Sequence, residues 1–301
     1  MHVFVTGASG FIGQAVTKEL VAHGHQVLGL VRSDAGAEIV RKAGGEPFQG
    51  SLTDLESLKK GAAATEGTIH LAFIHDFAGG IDSYVKACDT DRAAITAMGE
   101  VLAGTGKALI IAGGTLGLQE GVLGTEDLED EKGAAFGGRS RNAEMVKDLS
   151  REKNIRGIVV RLAPVVHEAG HGGFLELLKD SAHKNGWSGY IDEGQTVWPA
   201  MHRQDGAALF RLILDKGRAG ATYHGVGEGS VQMKDLATAV GKKLGISVMS
   251  KTVEEAGKTM GFAAHVITKD NPCSSKKTQK ELGWTPVHRG LLAEVEASDM
   301  A

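Results

Sequence analysis

Cysteine is almost missing from this sequence. Only Cys88 and Cys273 occur among the 301 residues, and their separation matches no metal-ligand spacing. Two distant thiols argue against a disulfide framework and against a zinc module built on paired cysteines. The composition therefore favours a reduced, cytoplasmic protein.

Long apolar runs and an excess of one charge are missing as well. No apolar run approaches the roughly 18 residues that a membrane helix needs. The net charge is −4 with acids and bases interspersed, which argues against a nucleic-acid groove or an anionic membrane surface. The chain opens on a strand pattern rather than on a signal peptide. We expect a small-molecule substrate as partner, with neither nucleic acid nor membrane, and the sequence does not indicate the oligomeric state.

Aromatic residues are scarce, at 5%, whereas glycine is abundant, with 43 residues. Many of these glycines lie where a predicted strand meets a predicted helix. Apolar strand patterns alternate with helix patterns up to about Pro164, and the alternation loosens afterwards. This order predicts an α/β fold with a Rossmann-type doubly wound parallel sheet and a smaller C-terminal lobe. We expect a dinucleotide-binding domain over 1–163, to which 200–227 returns, and a substrate-binding lobe over 164–301.

The segment TGASGFIG lies between the first strand and the first helix. Glycines at this place let the backbone turn tightly and approach a pyrophosphate, and the helix N-terminus provides N–H groups and partial positive charge for that anion. A glycine triplet alone is a weak signal, but its position after the first strand agrees with a dinucleotide site. The expected contacts of this loop are Gly7, Ser9, Gly10, Phe11, Ile12 and Gly13.

The second strand ends in GLVRSD. A protein that prefers NAD commonly offers an acidic residue there to the ribose 2′-hydroxyl. Here Arg32 and Ser33 occupy the position, and a planar, permanently charged guanidinium suits a 2′-phosphate. The alternative is a solvated Arg32 with Asp34 in the acidic role. Because Asp34 lies beyond the strand end, we predict NADP(H) as the cofactor.

Five segments together resemble a known family: TGASGFIG, SLTD, HLAF, the strand that ends in RLAP, and LGWTP. They resemble the extended short-chain dehydrogenase/reductase family, in its NAD-dependent epimerase/dehydratase-like branch, over essentially the whole chain. The resemblance implies three further groups of cofactor contacts. They are Ser51, Leu52 and Asp54 near the adenine, Leu71, Ala72 and Phe73 beside the ribose and diphosphate, and Pro164 and Val165 near the nicotinamide amide.

The sequence departs from this family at FGGRSRNAE, residues 136–144. The family's active pair is Tyr-x-x-x-Lys on this helix, and counting back from Glu144 puts Phe136 and Ser140 at the two positions. The usual phenol, with its pKa lowered by an adjacent ammonium, is therefore missing. The departure puts ordinary reductase chemistry in doubt, but not dinucleotide binding.

Several residues are candidates to replace the missing pair. The resemblance puts Thr115 at the family's active-site Ser/Thr, although a plain turn hydroxyl is the alternative. Arg139 and Arg141 open the helix, and one of them, taken here as Arg141, would stabilise a developing alkoxide or enolate; the alternative is a solvated helix end. His167 follows the sixth strand and can protonate near neutral pH. The predicted substrate contacts are His75, Tyr190, Trp198 and His202.

The stretch HEAGH, residues 167–171, matches the H-E-x-x-H zinc pattern letter by letter. That chemistry needs both histidines one turn apart on a helix. Because the stretch follows a strand and is rich in glycine, a stable helix is improbable. We predict no metal and interpret it as a loop at the rim of the pocket.

These features predict an NADPH-dependent reductase of a small carbonyl, conjugated enone or iminium substrate. An iminium becomes a neutral amine when hydride adds, so it needs less help from an acid. Two alternatives stay open: an epimerase or dehydratase with bound NAD(P), and a non-catalytic NADP-binding sensor or regulator.

Overall fold

The strands of the computed structural model follow the predicted order in the first half of the chain. The described residues are 1–75, 80–130, 137–260, 264 and 266–299. The strands are β1 His2–Thr6, β2 Gln26–Val31, β3 Glu46–Gln49, β4 Gly67–His70, β5 Ala108–Gly114, β6 Arg156–Leu162, β7 Val165–His167, β8 Trp187–Ile191, β9 Val197–His202, β10 Thr222–Gly225, β11 Glu228–Gln232 and β12 Ser247–Lys251.

Helices follow most of these strands. They are α1 Phe11–Ala22, α2 Asp34–Lys42, α3 Leu55–Ala63, α4 Ile81–Leu102, α5 Gly137–Glu152, α6 Phe174–Asn185, α7 Arg203–Lys216, α8 Met233–Leu244, α9 Val253–Met260, α10 Lys276–Leu282 and α11 Leu291–Ala297. A short 3-10 turn, Thr115–Gly117, follows β5.

The central sheet has seven strands in the order β10-β6-β5-β4-β1-β2-β3. All six pairings are parallel. The strand order reverses between β1 and β4, so their carboxyl ends open the crevice in which doubly wound folds bind ligands. The predicted fold class is confirmed.

The sheet buries apolar side chains on both faces. Along β1, Val3 and Val5 belong to one core cluster, whereas Phe4 belongs to another. Successive strand residues point to opposite faces, and all three side chains are fully buried. Helices α1 and α7 pack against each other over one cluster, and α3 and α4 pack together over the other. The rigid sheet therefore holds the loops at its carboxyl edge in place.

The second half of the chain is interleaved with this sheet. Strand β10 pairs with β6, while β11, β9 and β7 form a sheet of their own and β12 pairs with β8. A third core cluster lies there, around the buried Leu175, Trp198 and Leu236. The boundary that we expect at residue 163 stays a prediction.

The sequence pattern predicted no strand at β3, β7, β8, β9, β11 or β12. The local signal is weak in three of them: four of the five residues of β12 are exposed, and β8 and β11 each contain a glycine. Their pairing comes from partners elsewhere in the chain, which a local pattern does not report.

Within the ranges given above, no helix combines the length and the apolar character required to cross a membrane.

Candidate functional site

The glycine loop lies against the start of α1 with no room for side chains. A Cβ on Gly13 would lie 2.0 Å from the carbonyl oxygen of Gly7, so only glycine fits there. No side chain caps α1 at Gly10, and its first turn contains no acidic residue. The N–H groups of this turn therefore face outward without a competing carboxylate, which suits a pyrophosphate.

Arg32 and Ser33 lie at the carboxyl end of β2, beside the start of α2. The Ser33 hydroxyl accepts a hydrogen bond from Gly36 N at 3.2 Å and caps α2. Arg32 is exposed, and its guanidinium is in none of the ion pairs found among the described residues. Asp34 is also exposed and occupies the first turn of α2. A free guanidinium next to a helix N-terminus is a site for an anionic group.

The residues predicted near the adenine follow β3. The Ser51 hydroxyl accepts a hydrogen bond from Asp54 N at 3.2 Å, and Asp54 caps α3 by accepting one from Ser57 N at 3.2 Å. Leu52 packs half-buried against the core cluster that contains Phe4. These contacts order the loop that follows β3.

The loop after β4 touches the glycine loop. A Cβ on Gly7 would lie 2.8 Å from Ala72 N, and Ala72 N donates to the Thr6 hydroxyl at 3.2 Å. Leu71 packs against the core below. The structure therefore brings the loops after β1 and β4 together at the point where the strand order reverses.

Phe73 lies at the centre of a small cluster at this edge. Its ring meets the His75 ring edge-on with centroids 5.3 Å apart, and the Tyr84 ring at 6.4 Å. The Arg139 guanidinium lies over the Phe73 ring, 4.6 Å from its centroid. The cluster thus joins the loop after β4, the first turn of α4 and the first turn of α5.

Of the two arginines that open α5, Arg139 turns inward and Arg141 does not. Arg139 Nη2 donates to the carbonyl of Ala112 in β5 at 2.6 Å, whereas Arg141 is exposed. Two positions along a helix differ by about 200° in direction, so one residue faces the sheet and the other faces away. The geometry therefore favours Arg139 over the predicted Arg141 as the arginine that faces the sheet.

His75 is solvent-exposed at the end of the described part of its loop. The atoms packed around its ring, and then the positive charge of Arg139, lower the pKa of His75, although a hydrogen bond with the Phe73 backbone opposes them. Phe136, the counterpart of the family's tyrosine, lies outside the described residues.

Thr115 is fully buried. Its hydroxyl donates to Asn271 Oδ1 at 2.7 Å, and Asn271 Nδ2 donates back to the Thr115 carbonyl at 3.0 Å. A side chain without exposed surface cannot touch a substrate, and the Thr115 hydroxyl already donates its proton to Asn271. The geometry thus speaks against Thr115 as the proton donor and makes it a structural link.

His167 is also enclosed, with only 1% of its surface exposed. Its Nδ1 has no hydrogen-bond partner among the described residues, and its ring meets the His202 ring with centroids 5.5 Å apart. Burial, followed by the charge of His202, lowers the pKa of His167 to about 4. A histidine that is neutral and shielded at pH 7 is a poor acid, so the geometry argues against a catalytic role for His167.

His202, predicted to bind substrate, is buried at the end of β9. Its Nδ1 accepts a hydrogen bond from Gln204 N at 3.2 Å, and its ring stacks on His288 with centroids 4.5 Å apart and 9° between the planes. His202, Asp205 and His288 offer ligand atoms within 4.8 Å of one another. Parallel rings direct their in-plane lone pairs side by side, however, whereas a zinc site needs them to converge. We assign this group to packing of the C-terminal segment.

The HEAGH stretch is not helical. Val165–His167 is β7, and Glu168 and His171 face each other across an antiparallel bridge. A Cβ on Gly172 would lie 2.6 Å from the Phe11 ring, so the loop packs directly on the start of α1. This close approach explains the glycine at position 172.

The remaining predicted residues lie around the third core cluster. Pro164 is half-buried and Val165 fully buried at the start of β7. Trp198 is 1% exposed and donates its indole N–H to the Lys269 carbonyl at 2.9 Å; its ring supports Phe174 with centroids 5.0 Å apart. The Tyr190 ring is half-buried below the Lys234 ammonium, 5.4 Å from its centroid. Trp198 thus lies buried behind Phe174, out of reach of a substrate.

Sequence reasoning missed Arg203 and Asn271. The Arg203 guanidinium lies 4.5 Å from the centroid of the Phe11 ring and donates to the Phe11 carbonyl at 3.2 Å, while Glu168 forms an ion pair with it. This places a cation beside the glycine loop from a position 192 residues later in the chain. No local motif marks either residue, because each acts through a partner that is remote in sequence.

The family model named NAD dependent epimerase/dehydratase family matches residues 3–226. The chain is 43% identical over 301 residues to "Uncharacterized protein C2A9.02" of Schizosaccharomyces pombe, with 99% of each chain covered. It is 41% identical to "Uncharacterized protein YLL056C" of Saccharomyces cerevisiae over the same length and coverage. A shorter match, 34% identical over 87 residues, covers 29% of this chain and 26% of a 2-alkyl-3-oxoalkanoate reductase of Stenotrophomonas maltophilia.

The fold is similar to that of the UDP-glucose 4-epimerase of Thermus thermophilus, whose crystal structure is a complex with NAD. The TM-score is 0.76 at 17% identity, with 99% of this chain and 98% of the epimerase covered. At this identity the likeness concerns the fold alone.

Proposed function

Since this chain belongs to the NAD-dependent epimerase/dehydratase family, we propose that it is an NADPH-dependent reductase of a small carbonyl, conjugated enone or iminium substrate. The observation that carries this proposal is the distribution of charge along the crevice. Arg32 lies on the adenosine side, after β2, and Arg139 lies on the other side, bound to β5. A dinucleotide spans the crevice of such a sheet at the reversal of strand order.

The residues present fit the dinucleotide. Gly13 leaves no volume for a side chain above Gly7, and the uncapped first turn of α1 presents free N–H groups for the pyrophosphate. Phe11 and Ile12 belong to the same turn and Ser9 precedes it, while Ser51 and Leu52 would lie near the adenine. Leu71, Ala72 and Phe73 would lie beside the ribose and diphosphate, and Pro164 and Val165 near the nicotinamide amide.

NADPH is preferred over NADH in this proposal because of Arg32 and Ser33. Arg32 is exposed and outside the ion pairs of the described chain, so a 2′-phosphate would not have to displace an existing partner. Charge-assisted hydrogen bonds of this kind are worth about 1.5–3 kcal/mol. Asp34 is held in the first turn of α2, where the helix terminus already stabilises its charge.

Bound NADPH would supply a hydride to the substrate. The chain's own task is then to exclude water, orient the substrate and provide a proton. Phe73 contacts His75 at the sheet edge, and the half-buried Phe174 packs on the buried Trp198. In this proposal these residues and the half-buried Tyr190 line the substrate pocket. The partial match to a 2-alkyl-3-oxoalkanoate reductase supports a carbonyl substrate.

The test is NADPH oxidation across a panel of aldehydes, ketones, enones and imines, with NADH in parallel. Turnover of one class with NADPH supports the proposal. Interconversion of a sugar nucleotide without net oxidation of the cofactor would replace it with the epimerase alternative. Tight NADPH binding without turnover of any panel member would replace it with a sensor role.

A further inference from the structure

The three side chains that meet at the carboxyl ends of β4 and β5 form one unit. Phe73 lies between the His75 ring on its edge and the Arg139 guanidinium on its face. Arg139 is anchored at its far end by the Ala112 carbonyl. The aromatic ring thus holds a fixed cation and an imidazole at the carboxyl ends of β4 and β5.

Of the described side chains around the Phe73 ring, and compared with Thr115, His75 is the proton donor that a substrate can reach. Thr115 is fully buried. An arginine does not release its proton at neutral pH. Tyr84 is only 8% exposed, and burial and then the neighbouring Cys88 raise its pKa. His75 is exposed, and its imidazole can both give up a proton and recover one from solvent.

We propose that His75 donates the proton to the substrate oxygen. Arg139, held over Phe73, is the neighbouring cation that makes this proton easier to release. The two residues together take the place of the tyrosine and lysine that the segment 136–144 lacks. His75 lies in the loop after β4, and Arg139 lies in α5. This inference rests on the proposed reductase function and assigns a catalytic residue to it.

Reduction of a carbonyl substrate adds a hydride to its carbon and a proton to its oxygen. As the carbonyl carbon gains a hydride, the electron pair of the C=O π bond moves to the oxygen. That oxygen takes a proton from an N–H of the His75 imidazolium, so the N–H bond breaks while an O–H bond forms, and His75 is left as neutral imidazole. The substrate is reduced to the alcohol, the cofactor is oxidised, and solvent returns a proton to His75.

The groups around His75 determine whether its pKa is raised or lowered. The protein atoms packed around the His75 ring lower its pKa most, and the positive charge of Arg139 from α5 lowers it further, which makes the imidazolium a stronger acid. Tyr84 of α4 faces the same Phe73 ring. If the imidazolium is the acid, kcat/KM for reduction falls as pH rises through this pKa.

The first experiment needs no cofactor and no turnover. Titrate the His75 imidazole by NMR in the free protein, in the wild type and in Arg139→Met. Loss of the neighbouring cation should raise the His75 midpoint, whereas Arg139→Lys should keep it near that of the wild type. Arg141→Met, two residues along the same helix but exposed, is the matched control and should not move it. An unchanged midpoint in Arg139→Met overturns the role of Arg139.

The second experiment measures single-turnover reduction with the substrate that the panel identifies. His75→Asn should slow the reaction by about 10²–10⁴-fold, the usual worth of a general acid, with NADPH affinity unchanged. Arg139→Met should move the falling limb of the pH profile to higher pH. A reductase that keeps its rate in His75→Asn, or that loses it instead in Tyr84→Phe, overturns the donor role alone. A wild type that binds NADPH but reduces nothing overturns the proposed function and the donor role with it, while the NMR midpoints still report whether His75 and Arg139 are coupled.

Discussion

Thr115 and Asn271 are joined by two hydrogen bonds, although 156 residues separate them in the chain. Thr115 follows β5 of the central sheet, and Asn271 N bonds to the Val197 carbonyl in β9. The pair therefore ties the central sheet to the second half of the molecule. Because the Thr115 hydroxyl donates to Asn271, it is not available to donate a proton to a substrate.

Thr115→Val should accordingly affect stability more than turnover. The variant leaves Asn271 without its buried donor, which costs about 1–3 kcal/mol. We expect chemical unfolding to show this loss, while single-turnover hydride transfer stays within about tenfold of the wild type. Thr96→Val on the exposed face of α4 is the control and should lie within about 0.5 kcal/mol of the wild type. A hundredfold loss of turnover at unchanged stability would restore Thr115 as the donor.

Arg32→Ala should weaken NADPH binding by about tenfold to a hundredfold and leave NADH binding nearly unchanged. The expectation follows from the loss of a charge-assisted contact worth about 1.5–3 kcal/mol, where about 1.4 kcal/mol is tenfold. Calorimetry with both cofactors measures the difference directly. Arg41→Ala on the exposed end of α2 is the matched control. Equal losses for the two cofactors, or a wild type that prefers NADH, would contradict the NADP assignment.

Gly13→Ala should abolish dinucleotide binding, because the new Cβ would lie 2.0 Å from the Gly7 carbonyl and displace the loop. Gly257→Ala in α9 is the control, since a Cβ there meets nothing within 4 Å. That substitution should stabilise the protein by about 0.5–1 kcal/mol through helix propensity. Binding is measured by titration with NADPH, and near-normal affinity in Gly13→Ala would show that the loop holds no pyrophosphate.

His167 makes stability depend on pH in the mildly acidic range. Its pKa is about 4 in the folded protein and about 6.5 when unfolded. The unfolded chain therefore binds the proton first, and stability that is complete above pH 6.5 is lost as the pH falls towards 4. The full difference is on the order of 3 kcal/mol at about 1.4 kcal/mol per pKa unit.

His167→Leu should remove this loss between pH 6.5 and 4 and cost little at pH 8, because Nδ1 has no partner to leave behind. His224 is the contrast: burial also lowers its pKa to about 4, but its Nδ1 bonds to the Ser274 carbonyl at 2.9 Å. His224→Leu should therefore destabilise the protein at pH 8 as well. Denaturant midpoints across the pH range test both variants, and an unchanged pH dependence in His167→Leu would refute the assignment.

Local patterns in the sequence were enough for the fold and for one half of the site. The alternation of apolar segments predicted the parallel sheet, and α1 begins and ends at the predicted Phe11 and Ala22. The family, recognised from its short motifs, is confirmed. These features are local, because a strand, a helix start and a glycine turn are each written in a few consecutive residues. The same holds for the placement of Arg32 at the end of β2.

Only the tertiary structure decided which side chains face the crevice. Arg139 and Arg141 have the same chemistry and nearly the same position, and packing of α5 on β5 selects Arg139. Thr115 follows β5 as predicted and His167 is the last residue of β7, yet Asn271 and His202 enclose them from distant parts of the chain. The sequence by itself determined the strands, turns and helix starts that form the candidate site, and the types of side chain available there. The direction of each side chain depends on partners that meet only when the chain is folded, since burial and hydrogen bonding there are set by contacts remote in sequence.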